Sequence, residues 1–131
     1  MPGLASCLLG ACLAILTALV ASDVAAQPGP RFALLIGNSS YRSIQALRNP
    51  ASDVRLIGDK LRALGFEVEV AEDVELAGMR ARLRSFSTRV ARAGKDAVSF
   101  LYYAGHGIQD DRNRNYLIPV DADLRTQTDL V

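Results

Sequence analysis

The chain has 131 residues, half of them hydrophobic, with 15 basic and 14 acidic side chains and a single histidine. That length suits one domain with a packed core, and that composition argues against disorder. A net charge of +1 leaves no electrostatic footprint for nucleic acid as a partner.

From Gly3 to Ser22 no residue is charged, and the apolar run Leu13 to Val20 ends near Val24-Ala25-Ala26, small residues of the kind a signal peptidase reads. We expect residues 1–26 to be a signal peptide cleaved after Ala26 and the domain to be exported, periplasmic or secreted. The leader has no Lys or Arg ahead of its apolar run, so an uncleaved anchor is the alternative, and only in that case is the membrane a partner. Leu9-Gly10-Ala11-Cys12 looks like a lipoprotein box, but too little apolar sequence precedes Cys12 for it to act as one. Cys7 and Cys12 both fall in the leader, so the mature domain has neither thiol nor disulfide.

Residues 27–30, Gln-Pro-Gly-Pro, read as a linker. Arg31 to Ile36 is a continuous apolar run closed by Gly37-Asn38-Ser39-Ser40, the pattern of a strand buried on both faces of a parallel sheet. Asn49 before Pro50 reads as an N-cap with proline at the first helical position. Val54, Ile57, Leu61 and Leu64 then recur at helical spacing up to a stop at Gly65. Phe66 to Val70 alternates like a strand. Leu76, Met79, Leu83, Phe86 and Val90 mark a second helix whose other face carries Arg80, Arg82, Arg84, Arg89 and Arg92, a solvated face before it is a docking surface.

Ala97 to Tyr103 is a third strand, with Tyr102 and Tyr103 read as ordinary strand residues, one on each face. Strand, helix, strand, helix, strand implies right-handed crossovers, an α/β class and a mostly parallel sheet covered on both sides. Ligands of such sheets bind beyond the carboxyl ends of the strands, where the loops at Gly37 and His106 both lie. The polar stretch Gln109 to Asn115 followed by Tyr116-Leu117-Ile118 predicts a hairpin beside that site.

His106 follows the third strand directly and stands between Gly105 and Gly107. A base is mounted this way: a strand delivers the imidazole to the sheet end, and residues without Cβ let other groups come close. No second histidine or mature cysteine is at hand for a zinc site, so no metal is expected. Asn38-Ser39-Ser40 lacks the glycine pattern of a nucleotide loop. Asp110-Asp111 is a solvated pair before it is a calcium site.

The ordered set Ile36-Gly37-Asn38, Leu47 to Asp53, Leu64-Gly65-Phe66 and above all Tyr102-Tyr103-Ala104-Gly105-His106-Gly107 resembles the caspase-like cysteine peptidases, within them the bacterial metacaspase-type branch. The likeness runs from about Arg31 to Leu124. It implies a three-layer α/β/α caspase-like fold, incomplete here, and a peptide or protein substrate. His106 takes the place of the histidine that activates a cysteine after the fourth strand and protonates the leaving amine. Gly107 supplies one backbone N–H of the oxyanion hole.

The branch also implies no obligatory cofactor, with calcium as an option. An acid at the position of Asp53 would select Arg or Lys, while Arg48 keeps cleavage after Asp open. Asp53 equally reads as a first-turn acid that suits the helix dipole.

In caspases the histidine precedes the cysteine by roughly fifty residues, and 25 residues follow His106. The expectation is an N-terminal, large-subunit portion of an endopeptidase, over residues 31–131, that is inactive alone because its nucleophile lies further on. Should the chain nevertheless cleave peptides, Ser39, Ser40 and Ser99 are the first residues to suspect. A catalytically dead caspase-fold binding module is the alternative. A flavodoxin-like domain, indifferent to His106→Ala, is the third. An unpaired strand edge is expected to drive self-association.

Overall fold

A computed structural model describes residues 29–123; the expected signal peptide, most of the expected linker and the segment after Asp123 lie outside the described residues. The element order is β1 (Arg31–Gly37), α1 (Pro50–Ala63), β2 (Glu67–Glu72), α2 (Leu76–Ala93), β3 (Val98–Ala104), β4 (Gly107–Gln109) and β5 (Asn115–Leu117). The first three strands form a parallel sheet in the order β2-β1-β3, and β4 and β5 form a separate antiparallel pair.

β1 is apolar throughout because it is central and both of its faces are covered. Phe32, Leu34 and Ile36 point to one side and pack with Met79 and Phe86 of α2. Ala33 and Leu35 point to the other and pack with Val54 and Leu61 of α1. Two helices on opposite faces of one sheet give the α/β/α layering, consistent with an incomplete caspase-like fold.

The helix ends follow the sequence in part. Gly65 adopts a left-handed φ of 79°. Its N–H bonds to the Arg62 carbonyl and that of Phe66 to the Leu61 carbonyl, a glycine stop that satisfies two terminal carbonyls. At the other end Asn49 is the N-cap residue and Pro50 opens the helix, as expected, but the cap bond itself is missing. The Ser52 hydroxyl bonds instead to the Asn49 carbonyl.

The arginine face of α2 is also only partly solvated. Arg82 and Arg89 turn back over β2 to pair with Glu67 and Glu69, and Arg89 lies over the Phe32 ring, while Arg80, Arg84 and Arg92 stay exposed.

A third apolar cluster sits at the carboxyl end of the sheet. Tyr41 from the loop after β1 packs there with Ile118, Val120 and Ala122 from the chain after β5, flanked by Ile44 and Leu47. This cluster supports the loops that build the site.

Candidate active site

The loops after β1 and β3 meet as their positions imply. The Asn38 N–H bonds to the Ala104 carbonyl at 2.8 Å, which extends the β1–β3 ladder past the strands. Asn38 itself is fully buried, and its amide joins three segments. Its Oδ1 accepts from the Val74 N–H at 2.9 Å, and its Nδ2 donates to the Ile118 carbonyl at 3.0 Å and the Val74 carbonyl at 3.4 Å.

The next two residues are also anchored. The Asp73 carboxylate accepts the N–H groups of Ser39 and Ser40 at 2.7 and 2.8 Å and the Ser40 hydroxyl at 2.8 Å. The stretch without the glycine pattern of a nucleotide loop does hold an anion with its amides, and the anion is the protein's own carboxylate. Burial alone would raise the Asp73 carboxyl; the Ser40 and Ser39 hydrogen bonds outweigh it and hold its pKa below the ordinary value.

His106 stands at the end of β3, half-buried. Its Nε2 lies 2.8 Å from the Gln45 carbonyl, and its ring leans on that of Tyr41 at 4.8 Å between centroids and 59° between planes. A carbonyl only accepts, so Nε2 carries the proton in that contact, and in the neutral ring Nδ1 keeps the lone pair. Its backbone is fixed too, since His106 N–H donates to the Tyr41 hydroxyl at 2.8 Å and its carbonyl accepts the Ile118 N–H at 3.1 Å.

Three residues of this arrangement, Tyr41, Gln45 and Tyr103, carried no usable sequence signal. Gln45 contributes only a carbonyl, which any residue type supplies. Tyr103, read as an ordinary strand residue, does face one side of the sheet while Tyr102 faces the other, but its hydroxyl is a junction. It lies 2.9 Å from both the His106 and the Ile118 carbonyls and 3.1 Å from the Tyr41 hydroxyl. Burial first, then the bond to Tyr41, pushes the Tyr103 phenol well above its usual pKa, so it acts as a neutral hydrogen-bonding group.

Gly107 begins β4, is exposed, and pairs in register with Leu117. Asp53 is half-buried in the first turn of α1, and Arg48 is exposed just before that helix; neither forms an ion pair among the described residues. The chain passes from the Gln45 carbonyl on His106 directly to Arg48 and then, within α1, to Asp53. Both charges therefore lie on the segment that leaves the imidazole.

None of the three suspected serines is hydrogen-bonded to the imidazole. The Ser39 hydroxyl is buried without a partner, Ser40 gives its hydroxyl to Asp73, and Ser99 lies on β3 well before His106.

The hairpin turn does not fit a calcium ion. Asp110 accepts the N–H groups of Arg112 and Arg114 through one oxygen, and the Arg114 side chain and Tyr116 hydroxyl through the other. These bonds, led by that of the Arg114 backbone, hold its pKa down to about 2. No group of three or more His, Cys, Asp or Glu able to hold a metal ion occurs among the described residues.

A depressed carboxyl pKa stabilises the fold at pH values above the unfolded value and loses that contribution as pH falls through the folded one. Acid titration of the protein should therefore show a loss of stability between pH 3.8 and about 2. Asp110→Asn should flatten that part of the curve of melting temperature against pH. An unchanged slope would remove the turn from the account.

The sequence model of the caspase domain family matches residues 30–130. The chain is 37% identical over 92 residues to the human "Mucosa-associated lymphoid tissue lymphoma translocation protein 1" and 36% identical over 92 residues to its mouse homolog. Each match covers 70% of this chain and 11% of the relative. Horse "Caspase-1" is 29% identical over 80 residues, 61% of this chain and 20% of that protein. The chain thus spans about a tenth of the length of the first two relatives. The parallel β2-β1-β3 sheet between two helices, the His106 loop at its carboxyl end and these matches together show that the chain belongs to the caspase domain family.

Proposed function

We propose that this domain is the large-subunit portion of an exported, metacaspase-type cysteine endopeptidase that cleaves after Arg or Lys. The observation that carries the reading is the imidazole of His106, held through Nε2 on the Gln45 carbonyl with Nδ1 left to work. Caspase family membership supports a protein or peptide as the substrate.

The chemistry needs a thiol, and both cysteines of this chain, Cys7 and Cys12, precede the domain. In the proposed reaction a cysteine outside the described residues gives its proton to Nδ1, and the thiolate adds to the peptide carbonyl. The Gly107 N–H and the amide of that cysteine hold the resulting oxyanion, a contact of the kind worth about 10²–10³ in rate per donor. Nδ1–H then protonates the leaving amine as the C–N bond breaks. Water, deprotonated by the same nitrogen, hydrolyses the thioester and returns the thiol. Asp53 supplies the negative charge for a basic side chain before the cut; Arg48 would serve the opposite preference.

The test is the full-length gene product on fluorogenic peptides ending in Arg, Lys or Asp. Cleavage after Arg and Lys is expected, with loss of turnover in His106→Ala and loss of the basic preference in Asp53→Asn. Cleavage only after Asp would reverse the specificity and move the subsite to Arg48.

One observation favours a second reading, a caspase-fold module that binds peptides without cutting them: the described residues contain no cysteine. Peptide binding without hydrolysis by the full-length product would establish it. Cleavage by residues 27–131 alone would overturn both readings.

A further inference from the structure

We propose that Tyr41 is the positioning residue for the His106 imidazole, setting both the backbone and the ring from which Nδ1 works. The inference rests on the reading of His106 as a base. What it asserts, however, is a geometry that can be measured without turnover.

The protons can be counted. The His106 and Ile118 carbonyls only accept, so the Tyr103 hydroxyl proton goes to them, shared between contacts of 2.9 Å each. The Tyr41 hydroxyl must then donate to Tyr103 across 3.1 Å, and its own oxygen is free to accept the His106 N–H at 2.8 Å. The result is a closed cycle, His106 N–H to Tyr41 to Tyr103 and back to the His106 carbonyl. Tyr41 thus fixes the peptide unit entering the histidine, Tyr103 fixes the one leaving it, and neither phenol touches the working nitrogen.

The same side chain acts on the ring. The Tyr41 ring, tilted at 59° against the imidazole, flanks it while Gln45 holds Nε2. Tyr41 can do this because it cannot swing. It is buried with Ile118, Val120 and Ala122, and its neighbours in sequence are tied down on both sides. Ser40 is held by Asp73, and the Arg42 N–H by the Val120 carbonyl at 2.9 Å. Remove the tyrosine, and the hydrogen bond that still orients the ring among the described residues is the one to the exposed Gln45 loop carbonyl.

The chain has one histidine, so its ring nitrogens can be read without ambiguity by ¹⁵N NMR. In the unaltered chain we expect one set of signals, with Nε2 protonated and its proton slow enough to observe. Tyr41→Phe keeps the aromatic face and removes the hydroxyl. Exchange of the His106 amide should then quicken by about tenfold, the effect of one lost hydrogen bond, while the Nε2 proton persists. Tyr41→Leu removes both, so the Nε2 proton signal should vanish and the two nitrogen shifts should converge as the tautomers mix. Met79→Ala, a cavity on the α2 side of the sheet, should lower the melting temperature without moving the ring signals.

Ring signals and His106 exchange unchanged in both tyrosine variants would overturn the proposal and assign the orientation to Gln45. Should the leucine variant fail to fold, unchanged amide exchange in Tyr41→Phe overturns it alone. Absence of peptidase activity in the full-length product would sink the catalytic reading and leave these signals as they are.

Discussion

Gly105→Ala is expected to destabilise the fold by about 3 kcal/mol and to dissolve the ordered site around His106, while Gly107→Ala stays within about 1 kcal/mol. The two glycines flank the same imidazole and look equivalent in sequence. A Cβ on Gly105 would lie 2.4 Å from the Tyr103 hydroxyl oxygen, 2.6 Å from its Cζ and 2.6 Å from the Tyr41 hydroxyl oxygen. Neither phenol has room to retreat. The Tyr103 ring packs against the Phe32, Leu34 and Ile36 side of the sheet, and Tyr41 fills the cluster with Ile118 and Val120.

Moving either ring breaks the hydrogen-bond cycle, and each group left buried without a partner costs about 1–3 kcal/mol. At Gly107 the nearest atom to an added Cβ is the Tyr116 carbonyl oxygen at 3.5 Å, ordinary contact. Its φ is not positive either, since Gly65 and Gly94 are the described glycines with that property. Denaturant midpoints of the two variants measured side by side decide the point, and equal losses would refute it. Gly105 is thus glycine because two hydroxyls occupy the space of its Cβ, and Gly107 is free to serve as an N–H beside an open face.

That contrast shows how far the sequence is legible. β1 was readable because burial on both faces forces an unbroken apolar run, and α1 because one buried stripe forces helical spacing up to a glycine that leaves the helix with positive φ. The β4–β5 hairpin was readable from its polar turn between apolar ends, where Asp110 gathers the amides and Asn113 takes the left-handed conformation.

The support of His106 was not readable. Tyr41 sits in a loop without periodicity, Gln45 acts through its backbone, and Tyr103 acts through a hydroxyl whose partners come from chain up to 62 residues away. Asn38 and Asp73 face each other across the ends of β1 and β2, and only the parallel register that brings Gly37 beside Glu72 makes them neighbours. A strand delivers the imidazole, a property of local sequence. What holds the ring there depends on tertiary convergence of polar atoms, which leaves no local pattern.

Residues 27–131 expressed alone should self-associate through β3, and lysine at both Phe100 and Leu101 should return them to monomer. Among the described residues the sheet order puts β3 at an edge, with no strand on one side of its backbone. The helices cover β1 and only the end of β3, where Tyr102 and Ala104 pack on the α1 side and Tyr103 on the α2 side; nearer its start Val98 is 47% exposed, Phe100 38% and Leu101 50%. Leu101 lies in register with Leu34 on the α2 face and Phe100 with Ala33 on the α1 face, so both sides of the edge are apolar and open.

The strand's seven residues, VSFLYYA, include no charge and no proline, the two devices that usually keep an edge from pairing. A second copy is the simplest complement, because the same strand run antiparallel about a two-fold axis offers the same groups in return. Covering each exposed large side chain is worth about 1–2 kcal/mol, and the ladder fixes the direction of approach. Lysines at positions 100 and 101 charge both faces and cost the monomer little, since both side chains are already partly in water. Sedimentation velocity reads the outcome. A monodisperse monomer of the unaltered chain, or an oligomer indifferent to the lysines, would defeat the prediction.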